Sequence, residues 1–238
     1  MHSLIEPFII YAVLFFPDVS AFTGLPVPAE TVSSLPFDLT GELERIFLYN
    51  VPSLLLLWYV IFARTGRTGP GRMAGTGIPK IAAADIQAFF ISLPGLLGIG
   101  LLVSLISPLF PEGASTFTLE TPRGLAAWAA VILSCITTGY LEETYFRAYL
   151  LSRFVPAAEA GRPGGTRPVL PPVPRSVITV GCSTALFALC HLYEGPGGIL
   201  NAFLAGLLLA LVYLRCRALH GIAWAHGVYN ALVYLVGV

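Results

Sequence analysis

Long apolar stretches run through the whole sequence, and they limit its fold more than any other feature. Seven of them qualify as membrane spans, and they cover residues 4–22, 44–63, 84–110, 124–153, 175–193, 198–215 and 220–237. The hydrocarbon layer of a bilayer is about 30 Å thick and a helix rises 1.5 Å per residue, so about 20 apolar residues cross it. The stretches therefore predict an all-α fold, a polytopic membrane helix bundle of about seven to eight transmembrane helices.

The composition agrees with a protein that is surrounded by lipid. Hydrophobic residues make up 56% of the 238 residues and charged residues only 11%, whereas a soluble domain carries about 25% charged residues. Such a chain cannot cover its surface in water, which excludes a disordered protein, a nucleic-acid binder and most soluble enzymes. We expect one integral-membrane domain over residues 1–238, with the lipid bilayer as a partner and no nucleic acid.

The charges between the spans predict an orientation. Ten of the thirteen basic residues fall in the alternate segments 64–80, 153–175 and 215–219, and the acidic residues mainly occupy the other connections. Basic loops stay on the cytoplasmic side. The pattern therefore predicts a cytoplasmic N-terminus, seven crossings of the cell's inner or plasma membrane, and a C-terminus on the other side.

The connecting segments themselves carry no chemical motif. Residues 23–43 and 156–174 are rich in proline and glycine, which predicts a loop and a linker. The glycine-rich stretch 69–77 lacks the Gly-Lys-Ser/Thr ending of a phosphate-binding loop. The four cysteines show no C-x-x-C spacing, so neither disulfides nor a cysteine zinc site is expected.

Span 124–153 holds three charged residues, Glu142, Glu143 and Arg147. A charge in a membrane helix costs about 2.5–3.5 kcal/mol on insertion scales, so this cluster needs a role. Glu143 and Arg147 are four residues apart with the acid first, which places them on one helix face in the better order for an ion pair. Glu142 lies about 100° around the helix from Glu143. It has no partner nearby in the sequence and is the charge left unexplained.

Two later spans add imidazoles. Phe187 and His191 are expected on one face of span 175–193, and His226 and Asn230 lie one turn apart in span 220–237. Each group alone is more often an interfacial or hydrogen-bonded residue than a catalytic one, and Asn230 alone could join two helices. Together with Glu142 they predict a polar site, because ionisable groups inside a membrane normally face the bundle interior or a wet cavity.

This set of groups suits hydrolysis. A carboxylate can activate water, an imidazole can share its proton, and a histidine and an amide can hold a developing oxyanion. Ser134 and Ser183 lie in no nucleophile motif, which argues against a covalent intermediate. One glutamate and two histidines could also hold Zn²⁺ with a water in the fourth position. The absence of an H-E-x-x-H pair on one helix disfavours zinc.

The three motifs together resemble the CPBP family of CAAX-processing and bacteriocin-immunity-type intramembrane proteases, also called Abi or type II CAAX endopeptidases. The motifs are E-E-x-x-x-R (residues 142–147), F-x-x-x-H (187–191) and H-x-x-x-N (226–230). The resemblance covers about residues 140–235 and separates N-terminal spans (1–120) from a catalytic core (121–238). One departure is Ala148, where the family often has glycine.

The resemblance implies an intramembrane endopeptidase that hydrolyses peptide bonds near the C-terminal tail of membrane-associated or lipidated proteins. It implies Glu142 as the general base with His191 assisting it, and His226 with Asn230 as the oxyanion site.

It also implies that Glu143 and Arg147 are a structural ion pair and that Phe187 packs beside His191. The family resemblance favours a metal-free glutamate mechanism without a cofactor. Zinc held by Glu142, His191 and His226 is the alternative.

Two further readings compete with the protease, and one difficulty accompanies it. A non-proteolytic immunity or scaffold protein would keep the motifs for structure, and a small transporter would use Glu142 as a proton relay.

The difficulty is depth: Glu142, His191 and His226 fall at different levels of a simple seven-span ladder. Their convergence requires a long, tilted or broken span, for which the 30-residue stretch 124–153 is the candidate.

Overall fold

The computed structural model describes residues 2–23, 37–65, 82–109, 120–151 and 173–236, and in these ranges the chain forms seven helices and no strand. The helices are α1 (His2–Thr23), α2 (Leu39–Glu44, then the π-helical segment Arg45–Asn50, then Val51–Thr65), α3 (Ala83–Ile106), α4 (Leu125–Glu143, then the π-helical segment Thr144–Leu151), α5 (Val173–Leu189), α6 (Gly195–Cys216) and α7 (Leu219–Val236). Short 3₁₀ helices follow α3 at Ser107–Leu109 and precede α6 at Leu192–Glu194.

Four helices in the described ranges are long and apolar enough to cross a membrane. They span Leu39–Ala63, Ala83–Leu109, Leu125–Leu151 and Leu192–Cys216, and the shorter apolar runs Ile5–Phe15 and Val177–Leu189 lie in α1 and α5. The predicted all-helical class is therefore confirmed. The count of seven to eight spans, the orientation and the single domain stay predictions.

Two predicted boundaries are wrong. The end of the predicted loop 23–43 is helical, because the Asp38 side chain caps α2 by accepting a hydrogen bond from the Thr40 N–H (3.0 Å). Span 175–193 is shorter than predicted, since α5 ends at Leu189 and His191 lies in the turn that follows. The glycine-rich stretch 69–77 and most of the predicted linker 156–174 lie outside the described residues.

α4 and α7 pack backbone against backbone. A Cβ added to Gly139 of α4 would lie 2.8 Å from the Ala223 carbonyl oxygen of α7. A Cβ added to Gly227 of α7 would lie 2.8 Å from the Ile136 Cα. Small residues of this kind let membrane helices approach closely. The contact brings His226 of α7 against the carboxylates of α4.

α1 covers the π-helical end of α4. The Tyr145 hydroxyl donates to the Pro7 carbonyl (2.7 Å), and the Tyr149 hydroxyl donates to the Glu6 carboxylate (2.9 Å). Phe15 lies between the rings of Tyr145 and Phe146, with centroids 5.3 and 5.2 Å away. Glu6, an acid within an apolar stretch, therefore has a polar partner.

The N-terminal ends of α3 and α7 are joined by one carboxylate. Asp85 Oδ1 accepts from the Gly221 N–H and Oδ2 accepts from the Ala82 N–H, each at 3.1 Å. The side chain thus satisfies free N–H groups at two helix starts. A glycine is required at position 221 because a Cβ there would overlap the Asp85 carbonyl oxygen.

We expect Gly221→Ala to lower the free energy of unfolding by about 1–3 kcal/mol, because the added methyl group meets backbone that has to shift. Denaturant unfolding in detergent micelles measures the change. Gly181→Ala in α5 is the matched control, since a Cβ there meets nothing within 4 Å and alanine favours a helix. Equal losses in the two variants would contradict the close contact of α3 with α7.

Candidate active site

A fully buried ion pair lies at the centre of the candidate site. Arg147 Nε is 3.0 Å from Glu143 Oε2, and the two side chains are 1% and 0% exposed. Arg147 Nη2 also donates to the Gly206 carbonyl of α6 (3.0 Å), and its guanidinium lies 4.7 Å from the centre of the Phe187 ring. Arg147 therefore joins α4 to α5 and α6, which fixes the end of α4 where the carboxylates lie.

His226 bridges the two carboxylates of α4. Its Nδ1 is 3.0 Å from Glu143 Oε1, and its Nε2 is 3.6 Å from Glu142 Oε2. A carboxylate that is paired with an arginine accepts hydrogen bonds, so Nδ1–H donates to Glu143 and Nε2 is directed at Glu142. The longer distance is outside hydrogen-bond range. Glu142 Oε2 is buried and has no hydrogen-bond partner.

His191 reaches the same place from the turn after α5. Its Nδ1 is 3.0 Å from the Phe187 carbonyl oxygen, and its ring lies 5.0 Å from that of Phe187. Because a carbonyl only accepts, Nδ1 carries the proton and Nε2 is left as an acceptor. Glu142 interacts electrostatically with both His191 and His226. The Phe187 ring is also 5.9 Å from that of His226, so it neighbours both imidazoles.

Asn230 occupies a partly buried position on α7, one turn beyond His226. Within the described residues its side chain makes no hydrogen bond or ion pair with another group. The structure thus brings together Glu142, Glu143, Arg147, Phe187, His191 and His226. It leaves Asn230 adjacent along α7 without a direct contact to them.

The expected difference in depth does not keep the groups apart. The apolar helix that carries Glu142 continues for 27 residues and changes to π-helical geometry at Thr144, directly after Glu143. His191 lies beyond the end of α5 and not within it. A long, altered α4 and a turn after α5 together allow convergence.

The geometry also bears on zinc. In the described part of the chain, no three His, Cys, Asp or Glu side chains form a group that could hold a metal ion. Glu142, His191 and His226 as placed therefore do not form the three-ligand set that the zinc alternative requires. In the described part of the chain the four cysteines form no disulfide.

One polar contact beside the site comes from the N-terminal half and was not predicted. Asn50 of α2 is 1% exposed, and its Nδ2 donates to the hydroxyls of Thr137 (3.0 Å) and Thr138 (2.9 Å) on α4. Thr138 precedes Glu142 by one helical turn. The one available signal was an amide inside an apolar stretch, which by itself does not identify its partner.

Comparison with known proteins gives one family match, which covers the C-terminal part of the chain. Residues 124–232 match the family model described as type II CAAX prenyl endopeptidase Rce1-like. No curated protein and no solved structure gives a significant match. The resemblance read from the three motifs is thereby confirmed, and this part of the chain is Rce1-like. Together with the four apolar helices, the match over residues 124–232 suggests an integral membrane protein and a protease.

We expect Arg147→Met to lower the free energy of unfolding by about 3–5 kcal/mol, because it leaves the buried Glu143 carboxylate without its cation. Denaturant titration in micelles measures this loss. The double variant Glu143→Gln with Arg147→Met removes both charges and should recover part of the stability.

Arg215→Met, at an exposed position in the last turn of α6, is the control and should change stability by no more than about 0.5 kcal/mol. If Arg147→Met were as mild as this control, the ion pair would not hold the site together.

Proposed function

We propose that the chain is an intramembrane endopeptidase that hydrolyses peptide bonds near the C-terminal tail of membrane-associated or lipidated proteins. The observation that carries the proposal is the buried, hydrogen-bond-free Glu142 Oε2 with His226 Nε2 3.6 Å away. A carboxylate oxygen held in this way is free to bind and activate a water molecule. The Rce1-like match over residues 124–232 supports the same class.

Glu142 acts as the general base in this proposal, and His191 assists it. Glu142 takes a proton from the water while the water oxygen attacks the scissile carbonyl carbon. His191 is suited to share that proton, because its Nδ1 is committed to the Phe187 carbonyl and its Nε2 is an acceptor. The same proton is then delivered to the leaving amine as the C–N bond breaks, which closes the proton cycle without an acyl-enzyme.

His226 and Asn230 form the oxyanion site. Glu143 accepts the Nδ1 proton of His226, so the doubly protonated ring, which the carboxylates of Glu142 and Glu143 favour, directs its Nε2–H toward the space beside Glu142. Asn230 lies one turn further along α7 and has its amide available for a second hydrogen bond. Preorganised donors of this kind stabilise charge that develops only in the transition state. Glu143 and Arg147 do not react; they orient His226.

We further propose that the site works without a metal or a cofactor and that the chain lies in the cell's inner or plasma membrane with its N-terminus in the cytoplasm. The basic segments 64–80, 153–175 and 215–219 support this orientation. Protein or peptide substrates with a membrane-associated C-terminal tail and the bilayer itself are the partners.

Glu142→Gln is expected to lower the cleavage rate by about 10²–10⁴-fold, because glutamine cannot accept the proton of water. The substrate is a fluorescent S-farnesylated peptide that ends in Cys-aliphatic-aliphatic-Met, reconstituted with the purified protein in liposomes. His191→Ala should also slow cleavage, although less. Glu44→Gln, at an exposed carboxylate of α2, is the matched control. Undiminished cleavage by both Glu142→Gln and His191→Ala would refute the mechanism.

Removal of metal ions separates the glutamate mechanism from the zinc alternative. We expect the purified protein to keep its cleavage rate after dialysis against a chelator, and elemental analysis of the active sample to give less than one equivalent of zinc. Loss of activity on chelation with recovery on addition of Zn²⁺ would establish the zinc alternative, since zinc sites lose their ion to chelators.

A further inference from the structure

The contact between α4 and α7 has two sides. On one side His226 lies against Glu142, with Nε2 3.6 Å from Oε2. On the other side the indole N–H of Trp224 donates to the Tyr140 hydroxyl (2.6 Å). Tyr140 and Glu142 are two residues apart on α4, which places them about 160° apart around its axis. Trp224 and His226 have the same spacing on α7. The candidate catalytic groups and the Tyr140 contact therefore flank one helix pair from opposite directions.

The hydrogen bonds of Tyr140 determine the tautomer of His220. The Tyr140 hydroxyl is 3.0 Å from His220 Nδ1. Because the indole of Trp224 only donates, the hydroxyl oxygen accepts from it. The hydroxyl proton is then donated to Nδ1, the only acceptor that the described residues place within hydrogen-bond distance of it. A neutral imidazole that accepts at Nδ1 carries its proton on Nε2.

This Nε2 proton of His220 has no acceptor in the described part of the chain. The Nε2 atom is buried and makes no hydrogen bond there. A buried donor without an acceptor carries the full cost of losing water, and native structures contain few such groups. The unpaired donor therefore points to an acceptor that comes from another molecule.

His220 also lines an apolar groove between the first turns of α3 and α7. The groove has a volume of about 230 Å³, and its walls are mainly the side chains of Ile86, Phe89, Phe90 and Trp224. Phe90 is 68% exposed and Trp224 is 46% exposed, so the groove opens on the outer surface of the helix bundle. An apolar surface of this kind is suited to contact with lipid.

The polar end of the groove lies at the two helix starts. His220 is the second residue of α7, and Trp224 lies one turn, or about 6 Å, further along that helix. On α3, Asp85 lies in the first turn and Phe89 one turn further. Both oxygens of Asp85 already accept backbone N–H groups. Within the described residues the groove thus offers the His220 N–H at one end and aromatic rings along the rest.

A glycerolipid of the bilayer has the matching chemistry. Its ester carbonyls accept hydrogen bonds, and each lies directly at the head of an apolar acyl chain. Both helix starts adjoin basic segments of the sequence, 64–80 at α3 and 215–219 at α7. Basic residues and tryptophan are typical of the level where membrane meets water. An ester carbonyl at that level can lie beside His220 while its acyl chain follows the rings of the groove toward the membrane centre.

The substrate's own lipid chain fits this groove less well. The groove and Glu142 lie on opposite sides of the α4–α7 contact. A Cβ on Gly139 or Gly227 would lie 2.8 Å from backbone of the facing helix, so the two helices leave no passage for a chain between them at this contact. A tail that is cut at Glu142 would have to pass around a whole helix to reach His220.

We propose that this groove binds one glycerolipid of the bilayer, with an ester carbonyl on the His220 Nε2–H and an acyl chain along Trp224 and Phe89. The Nε2 atom is covered, so the carbonyl enters as a side chain of the groove shifts. Phe90 is the most exposed ring of the groove and is the side chain best placed to move.

The bound lipid acts on the candidate active site through Tyr140. Hydrogen bonds in a chain polarise one another, so an acceptor on Nε2 of His220 makes its Nδ1 a stronger acceptor for Tyr140. The stronger contact fixes α7 against α4 and so holds His226 in position beside Glu142. This regulatory effect rests on the proposed protease function, whereas the lipid site itself does not.

Native mass spectrometry of the purified full chain tests the lipid site. The probes are two phosphatidylcholines with the same chains, one ester-linked and one ether-linked. We expect one ester lipid to stay bound, with an affinity roughly two- to tenfold higher than that of the ether lipid, which has no carbonyl acceptor. Ile86→Trp fills the groove and should abolish binding, and Leu101→Trp, at an exposed position further along α3, is the matched control. Equal retention of lipid by Ile86→Trp and the wild type would overturn the site.

A variant of His220 tests the hydrogen bond. His220→Phe keeps an aromatic ring in the groove but has no N–H, so it should bind the ester and ether lipids equally. An ester preference that survives in this variant would overturn the role of Nε2.

Competition tests the choice of occupant. The bound lipid should remain when the S-farnesylated peptide is added in excess, because the peptide binds on the other side of the α4–α7 contact. Displacement of the lipid by the peptide, with no displacement by the same peptide without its farnesyl group, would show that the substrate's chain occupies the groove and would refute the proposal.

Kinetics test the regulatory effect. In liposomes of the ether lipid, added ester lipid should raise kcat for the S-farnesylated peptide roughly two- to tenfold, the worth of one hydrogen bond, with little change in KM. Tyr140→Phe should abolish this increase and still bind the lipid, because it removes only the hydroxyl. Tyr59→Phe, at an exposed position on α2, is the control and should keep the increase. An increase of the same size in Tyr140→Phe would overturn the coupling.

Binding and cleavage fail separately. A wild type that retains the ester lipid but cleaves no peptide would refute the protease alone. A wild type that cleaves the peptide but retains neither lipid would refute the lipid site alone.

Discussion

The buried ion pair between Glu143 and Arg147 is the interaction on which the rest of the site depends. Burying two charges costs several kcal/mol each, and an apolar pair of similar volume would often serve stability as well. The pair has a second effect that apolar residues could not supply. Glu143 accepts the Nδ1 proton of His226, which directs Nε2 at Glu142. A structural charge pair thereby determines which nitrogen of His226 points at the Glu142 carboxylate, as an outer-shell partner orients a histidine.

Apolar length predicted the helices, but it could not predict how they end or meet. The apolar runs 84–110 and 124–153 form α3 and α4 close to their predicted bounds. Each run is long enough to cross the hydrocarbon layer, and such a run favours a helix along its whole length. α2 begins before its apolar run, because Asp38 caps its first turn. Glu42 in that turn pairs with Arg45 and accepts a hydrogen bond from Tyr234. α5 ends at Leu189, and His191 lies in the turn that follows. The Asp38 cap and the Glu42–Arg45 pair are local contacts, and only the contact with Tyr234 comes from a distant part of the sequence.

The motifs gave the candidate residues of the site, and packing decided their contacts. The spacing of Glu143 and Arg147 predicts an i, i+4 pair from local geometry alone. The approach of His226 to Glu142 could not be predicted from local helix geometry. It depends on Gly139 and Gly227, where the backbones of α4 and α7 are in contact. The two π-helical segments were also not predicted, since the hydrophobic pattern does not distinguish a single π turn from an α-helix. The N-terminal half, which carries no motif, supplies Asn50, whose amide donates to Thr137 and Thr138 of α4.

The central claim is that Glu142 activates water and does not attack the peptide itself. A single turnover of the farnesylated peptide in H₂¹⁸O tests it most directly, followed by mass spectrometry of the product and of the enzyme fragment that contains Glu142. The account predicts one ¹⁸O atom in the new product carboxylate and none in the Glu142 side chain. A covalent acyl-glutamate that water hydrolyses at the Glu142 carbonyl carbon would place ¹⁸O in Glu142 after that turnover, and this result would contradict the account.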